Sequence, residues 1–460
     1  MKSIFRTKSI SKIIEIAKDN PLKKTLGKFD LIFLGIGSII GTGIFVLTGQ
    51  AAAKYAGPGI SISFLLSAII CIFAGLAYTE LASMVPVAGS AYTYSYVIFG
   101  EIIAWLVACG LILEYTVASS TVAAGWSSYL VGILKQGGVV IPEHFTKSPS
   151  EGGLINLPAS IIPLFVGLLL YRGTKESVII NRILVILKLV IIFIFLLVAV
   201  PHIKIENYQN FLPFGFEGVL KGSAAIFFAY LGFDALATTV EECKNPKTDL
   251  PVGIIGSLLI CSAIYIAVSL TLTGISHYST LENSQPLAQA LRDNGSNIGS
   301  ALVGTGAVAG MITVLLVMMY GQSRIFFVIS RDGLIPDFFS KKHKKYNTPY
   351  VSCIIVAISV SLISGFTPIR TMGDMSSLGT LFALCVASIG VIVMRIKKPN
   401  LERSFKCPAI FISAPIAIIG CSYLIYKLLL DNYKCFFIFY TIGIAFYFIY
   451  SYKKAKIKNN

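Results

Sequence analysis

The sequence predicts an all-α integral membrane protein with about twelve transmembrane helices, and three observations carry that expectation. Of 460 residues, 55% are hydrophobic and only 13% are charged. Apolar runs near the roughly 20-residue length that crosses a bilayer recur from end to end. Basic residues gather between alternate runs: with both termini cytoplasmic, only Lys54, Lys135, Lys147, Lys204, Lys221, Arg292, Arg370, Lys427 and Lys434 fall outside, and Lys188 belongs to neither side. The net charge of +16 is therefore a topology signal, and nucleic acid is not needed to explain it.

Spans are expected near 30–53, 60–85, 92–133, 154–171, 176–200, 216–241, 251–275, 299–330, 350–367, 371–394, 408–428 and 434–452. The third and eighth exceed one crossing, so they tilt or project beyond the lipid. Ahead of them, the basic leader carries Glu15 and Asp19 and sets Ile10, Ile13, Ile14 and Ala17 at helical spacing. It reads as an amphipathic helix on the inner surface, with a mitochondrial presequence as the alternative.

The nine Cys form no CxxC pair and mostly sit inside apolar spans, where they act as small hydrophobes. His144, His202, His277 and His343 are scattered over predicted loops. No metal site, cofactor site or His-based catalytic centre is expected, and an enzyme is disfavoured.

Inside the first span, "GIGSIIGTGIF" (35–45) places Gly35, Gly37, Gly41 and Gly43 where each costs about 1 kcal/mol relative to Ala in a helix. Gly37 and Gly41 satisfy GxxxG spacing, the packing reading. Gly41-Thr42-Gly43 at mid-span instead favours a broken helix, and non-helical backbone at membrane depth survives only when it is buried or lines a cavity. A break of that kind implies a binding site. Its counterpart is Gly232 in the sixth span, flanked by aromatics and followed by Asp234. Two inverted five-helix repeats, 29–201 and 214–395, would each begin with a discontinuous helix. Residues 405–452 add two further helices, and 1–28 and 453–460 are cytoplasmic ends.

"GIGSIIGTGIFVLTG" (35–49), "AGLAYTELASMVPVAGSAYTYSY" (74–96), "FFAYLGFDALATTVEECKNPKTDLPVGI" (227–254) and "QSRIFFVISRDGLIPDFFSKKHKKYNTP" (322–349) resemble the amino acid-polyamine-organocation superfamily. Within it the chain looks most like bacterial relatives of cationic amino acid transporters, from about residue 25 to 400. The resemblance implies a 5+5 inverted repeat, a bacterial inner membrane and an amino acid as the bound partner.

It also implies a site. The N–H groups of Thr42, Gly43 and Ile44 beyond Gly41 open a half-helix whose positive dipole end suits a carboxylate, and freed carbonyls near Ile39 and Ile40 suit an ammonium. Phe228, Tyr230 and Leu231 fall at the second unwound turn, with Phe228 as an aromatic lid; ordinary core packing is the competing reading. Met318 and Met319 stand at the level of the substrate side chain, and Met adapts to varied apolar shapes. No carboxylate must face that side chain, so cationic specificity does not follow from the subfamily.

Intramembrane acids are expensive and usually functional. Asp234 is the expected gating acid, Glu114 is either a gating group or a neutral structural one, and Glu80 reads as structural. Glu241 and Glu242 are expected at an inner gate, and Asp249 as the cap of a helix whose early turn holds Pro251.

Lys188 remains. Its side chain either snorkels toward Arg182 and the cytoplasmic end, or places its ammonium where sodium-coupled relatives of this fold bind a cation, against the carbonyls of Gly37 and Ile40. The resemblance to proton-coupled members favours the second: burial disfavours the charged amine, so a proton would be taken up and released as the coupling ion. The functional expectation is a proton-coupled amino acid symporter; an exchanger or a substrate-sensing receptor of the same fold stays open, and no polar pore lining supports a channel.

Overall fold

The computed structural model describes residues 4–9, 26–85, 89–173, 177–346 and 348–455. The expected surface helix at 10–17 lies outside these, as do the side chains of Glu241 and Glu242. Among the described residues the chain is helical, with one isolated β-bridge between Leu26 and Cys243. In lipid an apolar segment must satisfy its backbone internally, which is why these runs are helices. Among the described residues, eight stretches are long and apolar enough to cross a membrane, and two shorter apolar helices accompany them.

The first span is α1 (Lys28–Ile39), a break, then three short helical segments over Gly43–Leu47, Thr48–Ala51 and Ala52–Ala56. Asp30 in the first turn of α1 accepts the Gly27 N–H at 3.1 Å. The Gly57-Pro58-Gly59 turn, with Gly57 at φ +58°, leads into α2 (Ile60–Met84). The third expected span is corrected: it divides into α3 (Ser90–Ile98) and α4 (Glu101–Gln136) at Gly100, whose φ is +92°. Then come α5 (Leu157–Arg172), α6 (Ser177–Ala199), α7 (Gly215–Ile226) with its 3-10 extension, and α8 (Pro246–Ile275). The helix α8 starts earlier than the Pro251 pattern suggests: Asp249 sits in the first turn and accepts the Asn245 N–H at 3.2 Å, so it supports the cap from within.

A short helix α9 (Pro286–Asp293) precedes α10 (Asn297–Arg331), followed by α11 (Tyr350–Phe366) and α12 (Ile369–Lys397). The last two expected spans lie together in α13 (Ile410–Phe446), which is helical on both sides of 428–434. A straight helix of 37 residues would be about 55 Å long. Here Cys407, just ahead of α13, binds Glu80, Asn432 meets Asp374, Tyr440 packs on Phe382, and Tyr447 returns to Glu101. The stretch therefore doubles back near Asn432.

Two groups of helices frame the interior. α8 packs on α1 and α2, while α10 packs on α4 and α5 packs on α11. α6 lies against α10 and α1 and turns Ile183, Ile186, Val190, Phe193 and Leu197 outward, an apolar face that requires lipid.

Buried ion pairs tie one end of the bundle. Glu80 receives Arg395 at 2.7 Å and Arg403 at 3.1 Å, which is the structural role expected of it. The N-terminal segment docks beside it: Arg6 grips Glu101 at 2.5 and 2.8 Å, and Tyr96 and Tyr447 donate to the same carboxylate. Lys8 pairs with Asp332 at 2.5 Å; burial lowers the Lys8 ammonium from its usual range, and Asp332 opposes that shift.

Candidate functional site at two helix breaks

Both discontinuities lie in the interior. Ile40 leaves α1 in an extended conformation (ψ 103°), and the first backbone bond of the outer segment runs from Phe45 N–H to Gly41 O at 3.4 Å. The N–H groups of Thr42, Gly43 and Ile44 consequently stand at its open N-terminal end. In the sixth span, α7 tightens into a 3-10 turn over Phe227–Tyr230, Leu231 is extended (ψ 147°), and Gly232 takes φ +108° before a second 3-10 segment. Only glycine fits at 232. A Cβ there would be strained by the backbone angle and would lie 2.9 Å from both Met318 Cε and the Ser38 carbonyl oxygen.

The two breaks touch. A Cβ on Gly43 would overlap the Cα and Cβ of Ala229, so Gly43 is the point of close approach between the broken helices. Ser38 Oγ donates to Gly232 O at 3.0 Å, a hydrogen bond between them. Tyr265 on α8 places its hydroxyl 2.9 Å from Ile39 O and 2.8 Å from Ala229 O. Thr42 packs against Gly125 and sets its Oγ1 3.6 Å from Met311 Sδ, while Tyr129 anchors Phe45 O at 2.8 Å.

Lys188 is fully buried and donates to Gly37 O at 2.8 Å and Ile40 O at 2.9 Å. It does not snorkel to the cytoplasmic end of α6, because its nitrogen is bound to these two interior carbonyls. Ile40 O was expected to serve both an ammonium and Lys188, and the lysine occupies it.

Other expected residues divide by where they point. Met318 faces the second break with Met311 and Val314, which share its side of α10; Val314 lies against Gly41. Met319 is buried but is not among these contacts. Tyr230 commits its hydroxyl to Phe64 O at 3.0 Å and packs against Phe64 and Tyr265, so its side chain belongs to the core. Phe228 lies near Gly373, which with Leu47, Gln50, Lys54, Tyr55 and Arg370 lines a surface cleft.

Asp234 accepts the Tyr115 hydroxyl at 2.7 Å. Glu114 is fully buried, beside the Thr380 hydroxyl. No group of His, Cys, Asp and Glu able to hold a metal occurs among the described residues. Sequence reasoning passed over Tyr265, Ser38, Tyr115 and Gly125. Each is an ordinary residue of an apolar helix, and only the tertiary contact distinguishes it.

Comparison with known proteins gives the family. A family model for amino acid permeases matches residues 26–452. The branched-chain amino acid permease BcaP of Bacillus subtilis (strain 168) is 44% identical over 461 residues, covering 99% of both chains. A methylthioribose transporter of the same organism is 41% identical, again over 99% of each, and the chloroplastic cationic amino acid transporter 9 of Arabidopsis thaliana is 37% identical over 87% of this chain and 73% of its own. Proteins so named are permeases and transporters rather than enzymes. The chain belongs to the amino acid permease family of the amino acid-polyamine-organocation superfamily.

Proposed function

We propose that the protein is a secondary active transporter that takes up amino acids with protons by alternating access. The observation that carries this reading is the contact of the buried Lys188 ammonium with Gly37 O and Ile40 O. A fixed cation at the broken helix makes a sodium ion unnecessary there, and an amine held among carbonyls can exchange its proton as the cavity opens to either side. The substrate carboxylate meets the N–H groups of Thr42, Gly43 and Ile44, its ammonium meets carbonyls at the two breaks, and Phe228 covers it, with Asp234 and Glu114 as gating groups below.

In this reading α13 supplies two crossings, the chain spans the bacterial plasma membrane twelve times with both ends cytoplasmic, and 29–201 and 214–395 are inverted repeats. The Met318 side favours apolar side chains, and relatives named branched-chain permeases support that class.

The test is uptake by purified protein in proteoliposomes under an imposed proton gradient or an imposed sodium gradient. All twenty amino acids serve as competitors, with methylthioribose added because a 41% identical relative carries that name. Proton-driven, sodium-indifferent accumulation is expected. Sodium dependence, exchange without net accumulation, or binding without transport would each overturn the symport reading.

A further inference from the structure

Between α10 and α11 the chain reads "SKKHKKY" (340–346), and Lys341, Lys342, Lys344 and Lys345 are all exposed. Other cations at this end of the bundle are neutralised by acids: Lys8 by Asp332, Lys247 by Glu402, and Arg395 and Arg403 by Glu80. Among the described residues no ion pair involves any of the four loop lysines.

The loop is nonetheless held in one shape. His343 accepts the backbone N–H groups of Lys345 and Tyr346 on Nδ1 at 3.2 and 3.3 Å, and its own backbone N–H donates to Thr348 O at 2.8 Å. The imidazole stacks on Tyr346 and packs edge-on against Tyr171, in the last turn of α5, and Tyr350, which opens α11. Thr348 Oγ1 closes this frame by donating to Tyr171 O at 2.8 Å. Two lysines are in turn fixed on ring faces: Lys342 Nζ lies 5.4 Å from the centre of Phe327 on α10, and Lys345 Nζ 5.5 Å from that of Tyr346. A ring face attracts the charge and leaves N–H donors of the ammonium free for an anion. Tyrosines collect at the headgroup level of a bilayer, and Phe338, stacked on Phe339, is apolar yet 42% exposed.

We propose that this loop is a binding site for the phosphate of an anionic phospholipid: Lys342 and Lys345 hold the headgroup, Lys341 and Lys344 add to the local positive field, and Phe338 meets the acyl chains. The proposal rests on the membrane placement above and not on the substrate. A lipid is favoured over a soluble anion because the loop hangs from Arg172, Arg331 and Tyr350, where three apolar helices end. An exposed phenylalanine gains nothing from free phosphate. Each basic residue beside an anionic leaflet strengthens association about fivefold, so the two ring-held lysines together contribute about twentyfold.

The test titrates detergent-purified, full-length protein with phosphatidylglycerol or with phosphatidylcholine of the same acyl chains, and reads bound lipid by native mass spectrometry. Wild-type protein is expected to hold phosphatidylglycerol at least about tenfold more tightly than phosphatidylcholine, and Lys342→Gln/Lys345→Gln to lose about tenfold or more of that affinity. Lys342→Arg/Lys345→Arg should retain it, since Arg keeps the charge and also lies over rings. Lys397→Gln/Lys398→Gln removes the same charge from exposed positions at the end of α12, and should change the affinity by less than about twofold because distant charges are screened. Equal wild-type affinity for the two lipids, equal losses in the two Gln variants, or displacement of phosphatidylglycerol by inorganic phosphate at the same concentration would each overturn the proposal. Lipid binding is read without transport, so wild-type protein that takes up no amino acid fails the transport reading alone.

Discussion

The side-chain nitrogen of Lys188 lies 2.8 Å from the carbonyl oxygen of Gly37, joining α6 to the broken end of α1 across 151 residues. With Ile40 O at 2.9 Å, the lysine fills the gap that unwinding opens in the first helix. Lys188→Met keeps much of the stem and removes the charge, so proton-driven accumulation should collapse to equilibration. Two buried carbonyls then lose their donor, at about 1–3 kcal/mol each, and the melting temperature should be followed in parallel. A folded Lys188→Met protein that still concentrates substrate under a proton gradient would refute this coupling.

Gly43 offers a sharper test of the site than its place beside a carboxylate suggests. Its missing Cβ is where Ala229 passes, so Gly43→Val should push the two breaks apart and reduce transport of all substrates in the same proportion. Because the overlap involves the Ala229 backbone as well as its methyl, Ala229→Gly should not rescue it. Loss confined to one substrate in a folded protein would place the common recognition site elsewhere.

How much of this is legible in the sequence depends on whether the signal is local. Composition and run length specify helices in a membrane, and four glycines in one apolar run mark the first break. Lys188 stands out because a lone cation in an apolar helix needs a partner. The split at Gly100 had a local signal too, a glycine followed by Glu101, but unbroken hydrophobicity on both sides outweighed it. The doubling back of α13 has none, since 428–434 holds no Gly or Pro and only the contacts of Asn432 and Tyr447 reveal the reversal. Tyr265 and Ser38 are silent for the same reason: their partners lie 226 and 194 residues away.

Met318 and Met319 separate on the helix that carries them. Met318 reaches the second break, its Cε close to where a Gly232 side chain would stand, and Met319 does not share that face. Met318→Ser should therefore enlarge the pocket and admit longer or more polar side chains in the competition profile. Met319→Ser should leave the profile unchanged, with at most a loss of stability from the cavity it creates. Identical profiles for wild type and Met318→Ser would remove this face of α10 from the specificity pocket.

Arg6 and Glu101 form the best-buried ion pair between the N-terminal segment and the bundle, with side chains 4% and 0% exposed. Both Glu101 oxygens are engaged twice, by Arg6 and by the hydroxyls of Tyr96 and Tyr447, so the carboxylate links the segment, α3, α4 and the end of the last helix. The backbone takes part as well: Ile102 N–H donates to Ile4 O at 3.1 Å, and a Cβ on Gly100 would come within 2.5 Å of Phe5 O. Removing one partner of such a pair strands the other in a dry site at about 3–5 kcal/mol. Arg6→Gln should therefore lower the melting temperature by several degrees. Glu101→Gln should cost as much or more, because an amide keeps an acceptor oxygen for only one of the two tyrosines and strands the Arg6 charge. Gly100→Ala should destabilise by a separate route, through its positive φ and the contact with Phe5. Since Arg6→Gln and Gly100→Ala break the same docking, the double variant should lose less than the two single losses added together. Strict additivity in a thermal-denaturation cycle would show that the segment and Gly100 do not act as one unit.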